Sequence, residues 1–120
     1  MKNPKRILIC GGREWNNPYP ILRELRVLPD SITTVIHGDA RGADKLGGVI
    51  AEGLDLKVIS IPANWKLNRR AAGFARNRKM LKMKPDIVLA FHEDISQSKG
   101  TKHMISIARA AGVEVRVFKK

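Results

Sequence analysis

Residues able to do chemistry are concentrated in three turns and one helix. The first turn, Cys10-Gly11-Gly12-Arg13-Glu14-Trp15, follows an apolar run with two glycines, then a guanidinium, a carboxylate and an indole. Glycine lets main-chain amides approach an anion closely, and Arg can grip a phosphate through two parallel N–H bonds. Gly11, Gly12, Arg13 and Trp15 are therefore ligand-binding candidates, with Arg13 on a phosphate and Trp15 against a base or ribose. The plainer reading is an ordinary turn.

The second turn, His37-Gly38-Asp39-Ala40-Arg41-Gly42-Ala43-Asp44, runs from a strand into a helix. Small residues at a helix N-terminus leave amides and the positive dipole end facing outward, so Gly38, Arg41, Gly42 and Asp44 join the candidates. Alternatively, Asp39 or Asp44 serves as a cap or first-turn acid. The third turn, residues 92–101, ends in Gly100 and Thr101, which open the last helix; Thr there normally caps it and can equally offer its hydroxyl and amide to a phosphate. His92, Glu93 and Asp94 read as solvated loop residues rather than metal ligands. In the helix over residues 71–83, Arg76 and Asn77 are placed to enter a crevice, while Arg78, Lys79 and Lys82 read as a solvated face. Cys10 and His37 end two strands, but a strand Cys is usually a small buried hydrophobe and a strand-end His usually bonds the backbone. For a hydrolase, Glu14, Asp39 and Asp44 are the candidate catalytic carboxylates. No Walker Gly-Lys-Ser/Thr and no Gly-x-Gly-x-x-Gly is present, so no cofactor is implied.

The elements that must hold these turns follow from hydrophobic periodicity. Short runs rich in Val and Ile at residues 6–10, 34–37, 57–61, 86–91 and 114–118 predict five strands. Helical patterns lie between them at residues 20–28, 42–53, 71–83 and 101–111, with Gly53 and Gly112 where C-terminal caps belong. Such alternation predicts an α/β three-layer sandwich, a parallel sheet with helices on both faces. Ligands then collect beyond the carboxyl ends of the strands, where strand order reverses. The turns after strands one, two and four are the ones named above.

With 120 residues the chain suits one domain, residues 1–120, and 43% hydrophobic content argues against disorder. The longest apolar runs are far too short to cross a bilayer, and residues 7–10 are too short for a secretory core, so a cytoplasmic protein is expected. A single cysteine permits no internal disulfide. Twenty-three Lys and Arg against eleven Asp and Glu give a net charge of +12, a bias toward anionic partners. The densest cationic segment holds Lys66, Arg69, Arg70, Arg76, Arg78, Lys79, Lys82 and Lys84 with no acid among them. Apart from Arg76, these are the candidate contacts of an alternative partner, nucleic acid.

Taken together, the motifs resemble the SLOG superfamily, in its YspA-like (cpYpsA-related) branch, small Rossmann-like proteins related to the LOG phosphoribohydrolases and to DprA. The resemblance rests on Gly11-Gly12-Arg13 with Trp15, His37-Gly38-x-Ala40-x-Gly42-Ala43-Asp44, Pro62-Ala63-x-Trp65, Ala72-Gly73-x-x-Arg76-Asn77-x-x-Met80 and Gly100-Thr101. It implies a Rossmann-like five-stranded parallel sheet of order 3-2-1-4-5 whose crest binds a nucleotide or nucleotide-derived ligand. The residues it nominates are Gly11, Gly12, Arg13, Gly38, Gly42, Asp44, Arg76, Asn77, Gly100 and Thr101. It also implies a homodimer. LOG enzymes hydrolyse the bond between base and ribose phosphate with an Arg-x-x-x-Met-x-x-Arg helix and a Gly-Gly-x-Gly-Thr-x-x-Glu loop. Here Arg76 and Met80 fit, but Met83 stands for the second Arg, Met104 for the Glu, and Gln97-Ser98-Lys99 before Gly100 has lost the glycine pair. The expectation is therefore a sensor or ligand-binding module, with a nucleotide hydrolase acting on an N-glycosidic or phosphate bond as the alternative.

Overall fold

The first strand shows why the chain folds as it does. Ile7, Leu8, Ile9 and Cys10 are all buried, so both faces of this strand need a cover. Ile7 and Ile9 pack with Trp15, Ile21, Leu25 and Ala51 on one side, while Leu8 and Cys10 pack with Met80, Met104 and Ala108 on the other. The period of two along a strand thus divides one apolar run between two cores.

The computed structural model describes residues 5–68 and 71–120, apart from the side chains of residues 67–68. In chain order its elements are β1 (Arg6–Gly11), α1 (Pro18–Val27), β2 (Thr34–His37), α2 (Ala43–Gly53), β3 (Lys57–Ser60), α3 (Trp65–Asn68), α4 (Ala72–Lys82), β4 (Ile87–Phe91), α5 (Lys99–Ala110) and β5 (Glu114–Phe118). The sheet is parallel throughout and ordered β3-β2-β1-β4-β5. Helices α1 and α2 cover one face, and α4 and α5 the other. This is the Rossmann-like α/β sandwich expected. Among the described residues no helix is long and apolar enough to cross a membrane.

Several element ends differ from the sequence reading. Helix α1 begins at Pro18, because the Asn17 side chain accepts from the Tyr19 amide and Pro18 suits the first turn. Gly53 is not the cap of α2: it is the last helical residue, Leu54 follows, and Asp55 takes the left-handed turn at φ 62°. Gly112, at φ 78°, does follow α5 as expected. Thr101 does not cap α5 either, since Ser98 holds that place and its hydroxyl accepts from the Thr101 amide. Two short pieces, α3 and a 3-10 turn at Ile95–Gln97, lie in stretches read as loop.

Candidate functional site

β1 is hydrogen-bonded to β2 on one side and to β4 on the other, so the chain reverses direction across the sheet between β1 and β4. A cavity of about 480 Å³ opens at that point, within the size range of small-molecule sites. The turn after β1 contributes Gly11, Gly12, Arg13 and Glu14, α4 contributes Arg76 and Asn77, and the start of α5 contributes Ser98, Lys99, Gly100 and Thr101. Asp44 also lines it. The structure therefore brings together most of the expected site residues.

Three amides of the turn after β2, those of Gly38, Asp39 and Ala40, already have partners within the protein. Asp44, in the first turn of α2, folds back and accepts from the amides of Gly38 at 2.9 Å and Ala40 at 3.4 Å. The amide of Asp39, a residue held at φ 59°, donates to His37 Nδ1 at 2.9 Å. The start of α2 is closed in turn by the Gly12 carbonyl, which accepts from the Ala43 amide at 3.1 Å. Gly42, at φ 82°, is what permits this: a Cβ there would strike the Gly12 carbonyl oxygen and the Arg13 backbone. Gly42 thus belongs to the scaffold behind the cavity rather than to its lining. Gly12 likewise gives its amide to the Phe91 carbonyl at 2.9 Å.

The start of helix α5 is arranged differently. The Thr101 amide is held by Ser98 Oγ at 3.1 Å, leaving Lys99 and Gly100 in the first turn with no intrahelical partner for their amides. They line the cavity that Arg13 enters from the turn after β1. The positive end of a twelve-residue helix and a guanidinium therefore share one concave space.

Two residues of α4 hold the walls together. Arg76 Nη1 donates to the Gly38 carbonyl at 2.6 Å and Arg76 Nε to Asn77 Oδ1 at 3.1 Å. Asn77, buried, donates through Nδ2 to the Gly100 carbonyl at 3.0 Å and lies 3.1 Å from His103 Nδ1. The turn after β2 is thereby linked through α4 to the start of α5. Burial raises the Asp44 carboxyl to about 6, against the lowering effect of Arg76 and of the Ala40 and Gly38 amides. Burial also pushes the Cys10 thiol upward and the His37 imidazole downward, and His37 Nδ1 is already an acceptor. A thiolate–imidazole nucleophile is not what this pair forms.

Trp15 is not in the crevice. It is 3% exposed, packs against Phe91 at 5.8 Å between ring centroids and donates its indole N–H to the Asn17 carbonyl at 2.8 Å, so it is a core residue. Trp65 is the accessible indole, 51% exposed, with the Arg13 guanidinium carbon 5.9 Å from its ring centre. It lines a second cavity, which shares Arg13, Ala40 and Arg76 with the first and also includes Gly38, Asp39 and Arg41. Sequence reasoning had Trp65 within the Pro62-Ala63-x-Trp65 block and not among the crest candidates; an aromatic shortly after a strand end was the available signal. It also passed over Ser98 and Lys99, although Ser98 stands three residues before Thr101, the spacing of a cap.

Of the remaining candidates, Glu14 forms an exposed ion pair with Arg41 at 2.6 Å, and Asp39 faces Lys45 at 3.9 Å. Asp94 accepts from the Ser96 amide and hydroxyl, and His92 Nδ1 accepts from the Asp94 amide. Among the described residues no three His, Cys, Asp or Glu side chains converge as a metal site. Lys66, Arg78, Lys79, Lys82 and Lys84 are exposed, whereas Arg69 and Arg70 lie outside the described residues.

Residues 5–68 match the model of a family described as YspA, cpYpsA-related SLOG. The chain is also similar to the Gene 61 protein of Mycobacterium phage D29, at 32% identity over 123 residues, spanning 95% of this chain and 96% of that protein.

Proposed function

We propose, because the chain belongs to the YspA, cpYpsA-related SLOG family and carries the crest cavity just described, that it binds a nucleotide or nucleotide-derived phosphorylated ligand there, as a sensor or ligand-binding module. The observation that carries this reading is the convergence of Arg13 and the first turn of α5 on one cavity at the strand switch point. In this reading the phosphate sits between the guanidinium and the α5 amides. Arg76 and Asn77 act through the walls that they fasten. The chain works as one domain in the cytoplasm, with a second copy of itself as partner. Calorimetry against nucleoside monophosphates, ADP-ribose species and NAD tests it, saturable binding being the expected result; no heat from any of them would remove the proposal. Mass spectrometry of small molecules released from the purified, denatured protein identifies the ligand directly.

A hydrolase is the second reading, favoured by one observation: Asp44 is a buried carboxylate on the cavity wall whose proton leaves at about 6. A general base is most effective when it titrates near the working pH. Against it, Met104 fills the position of the LOG-type Glu and is fully buried in the core. Nucleoside monophosphates and NAD incubated with excess protein would release free base or phosphate under this reading, and would stay intact under the first.

A further inference from the structure

An indole that is half exposed needs a reason, because only five large apolar side chains among the described residues are exposed and Trp65 is the bulkiest of them. Trp65 stands at the start of a one-turn helix just beyond the end of β3, on the same side of the sheet as the phosphate cavity. Its ring edge rests near α4: a Cβ on Gly73 would meet Trp65 Cη2 at 3.6 Å, an ordinary contact. The indole thus forms a wall of the second cavity, about 610 Å³, whose other walls include Gly38 and Asp39.

We infer that this second cavity is a base subsite, in which the heterocycle of a nucleoside phosphate stacks on Trp65 while its phosphate occupies the neighbouring cavity. The inference rests on the phosphate reading above and adds the identity of what the ligand carries at its other end. Three features point the same way. The two cavities share Arg13, Ala40 and Arg76, so one molecule with an anionic end and a flat end can fill both. An exposed indole offers a π-face to any base. Asp39, with its carboxylate partly exposed, can accept from a ribose hydroxyl or an exocyclic amine. Arg13 now lies over the ring at 5.9 Å, the outer limit of a cation–π contact, and its long side chain can yield that face to a base while keeping hold of the phosphate. A sugar phosphate would leave the indole uncovered.

The protein has two tryptophans, one buried and one exposed, so its fluorescence can report on the exposed one. AMP, GMP and ribose 5-phosphate are titrated into the wild type, Trp65→Phe and Trp65→Leu, following heat for all three proteins and fluorescence for the wild type. The nucleotides should quench wild-type emission and bind roughly tenfold to a hundredfold more tightly than ribose 5-phosphate, the scale of one base–aromatic stack. Trp65→Leu should erase that advantage and leave ribose 5-phosphate affinity unchanged, and Trp65→Phe should keep most of it. Equal affinity of the wild type for nucleotides and ribose 5-phosphate would overturn the base subsite while leaving the phosphate site standing. An equal loss of both ligand types in Trp65→Leu would also overturn it, making the indole a prop for the cavity wall. Failure of the wild type to bind any of the three would remove the phosphate reading and this inference together.

Discussion

A guanidinium and an ammonium carry the same charge, so replacing one with the other isolates the contribution of shape. Arg13 is exposed, and the contact described for its side chain is the loose one over Trp65. Apo stability therefore depends little on it. Lys at this position keeps a point charge and loses the planar fork that a phosphate accepts from. Arg13→Lys should weaken ligand binding by about 1 to 3 kcal/mol, with the thermal midpoint of the ligand-free protein nearly unchanged. Equal affinity by calorimetry would place the phosphate elsewhere, and a large fall in midpoint would make Arg13 structural. Asp44 gives the opposite kind of prediction. Its carboxyl titrates at about 6 when folded, against 3.8 ordinarily, so between these values the native state holds a proton that the unfolded chain has released. Stability from this group is greatest below that window and falls as pH rises through it, by about 3 kcal/mol for a gap of roughly two pH units. Asp44→Asn should lack this descent, since an amide oxygen still accepts from Gly38 and Ala40 but does not titrate. Denaturant unfolding at pH 4 and pH 7 checks it; parallel changes in the two proteins would show that Asp44 is not the source. At this scale the sequence was legible in residue type and not in direction. Trp15 and Trp65 both follow strands, and only packing against Phe91 and the bond to Asn17 decide which indole is core.

Between elements, the side-chain bonds of Asp44, Arg76 and Asn77 are joined by backbone-to-backbone contacts, and glycine is where the latter are decided. Gly42 lets the start of α2 press against the turn after β1, with the Ala43 amide on the Gly12 carbonyl. Gly42→Ala imposes a Cβ at φ 82° and drives it into that carbonyl, so a loss of more than about 2 kcal/mol is expected, together with weaker ligand binding as Arg13 is displaced. Gly53→Ala is the control, because that glycine is helical with nothing within 4 Å of its Cβ position. It should gain about 0.5 to 1 kcal/mol. Chemical denaturation of both variants measures the contrast, and similar effects at the two sites would refute the role given to Gly42. The strands were readable because each short apolar run had to be buried, and β1, β2 and β4 are buried on both faces. Helix α3 was not, since one turn shows no periodicity. Nor could spacing reveal that Asp44 turns back to take the Gly38 and Ala40 amides of the turn before it.

For the molecule as a whole, a net charge of +12 acts at longer range than any single contact and bears on the remaining alternative, nucleic acid. Arg78, Lys82 and Lys84 are exposed along α4 and just beyond it, and none of them lines either cavity of the proposed site. They can therefore be removed without touching the nucleotide contacts. A basic surface of this kind attracts any polyanion by releasing its counterions, with a slope of about −0.7 in log affinity against log salt for each phosphate neutralised on a single strand. A base-stacking row would add a salt-resistant part, and among the accessible aromatics only Trp65 and Phe74 stand near the basic segment, Phe74 being already stacked on His103 at 4.2 Å. Single-stranded oligonucleotides should accordingly bind weakly and lose affinity steeply as salt rises. Replacing Arg78, Lys82 and Lys84 together by Gln should lower the magnitude of that slope by about 2, while AMP affinity stays at the wild-type value. Fluorescence anisotropy over a salt series measures the first quantity and calorimetry the second. An unchanged slope would show that these three residues do not meet the phosphates, and oligonucleotide affinity insensitive to salt would contradict an electrostatic surface altogether. A parallel loss of AMP binding would mean that the charge of the whole molecule, and not the geometry of the crest, is what holds the small ligand.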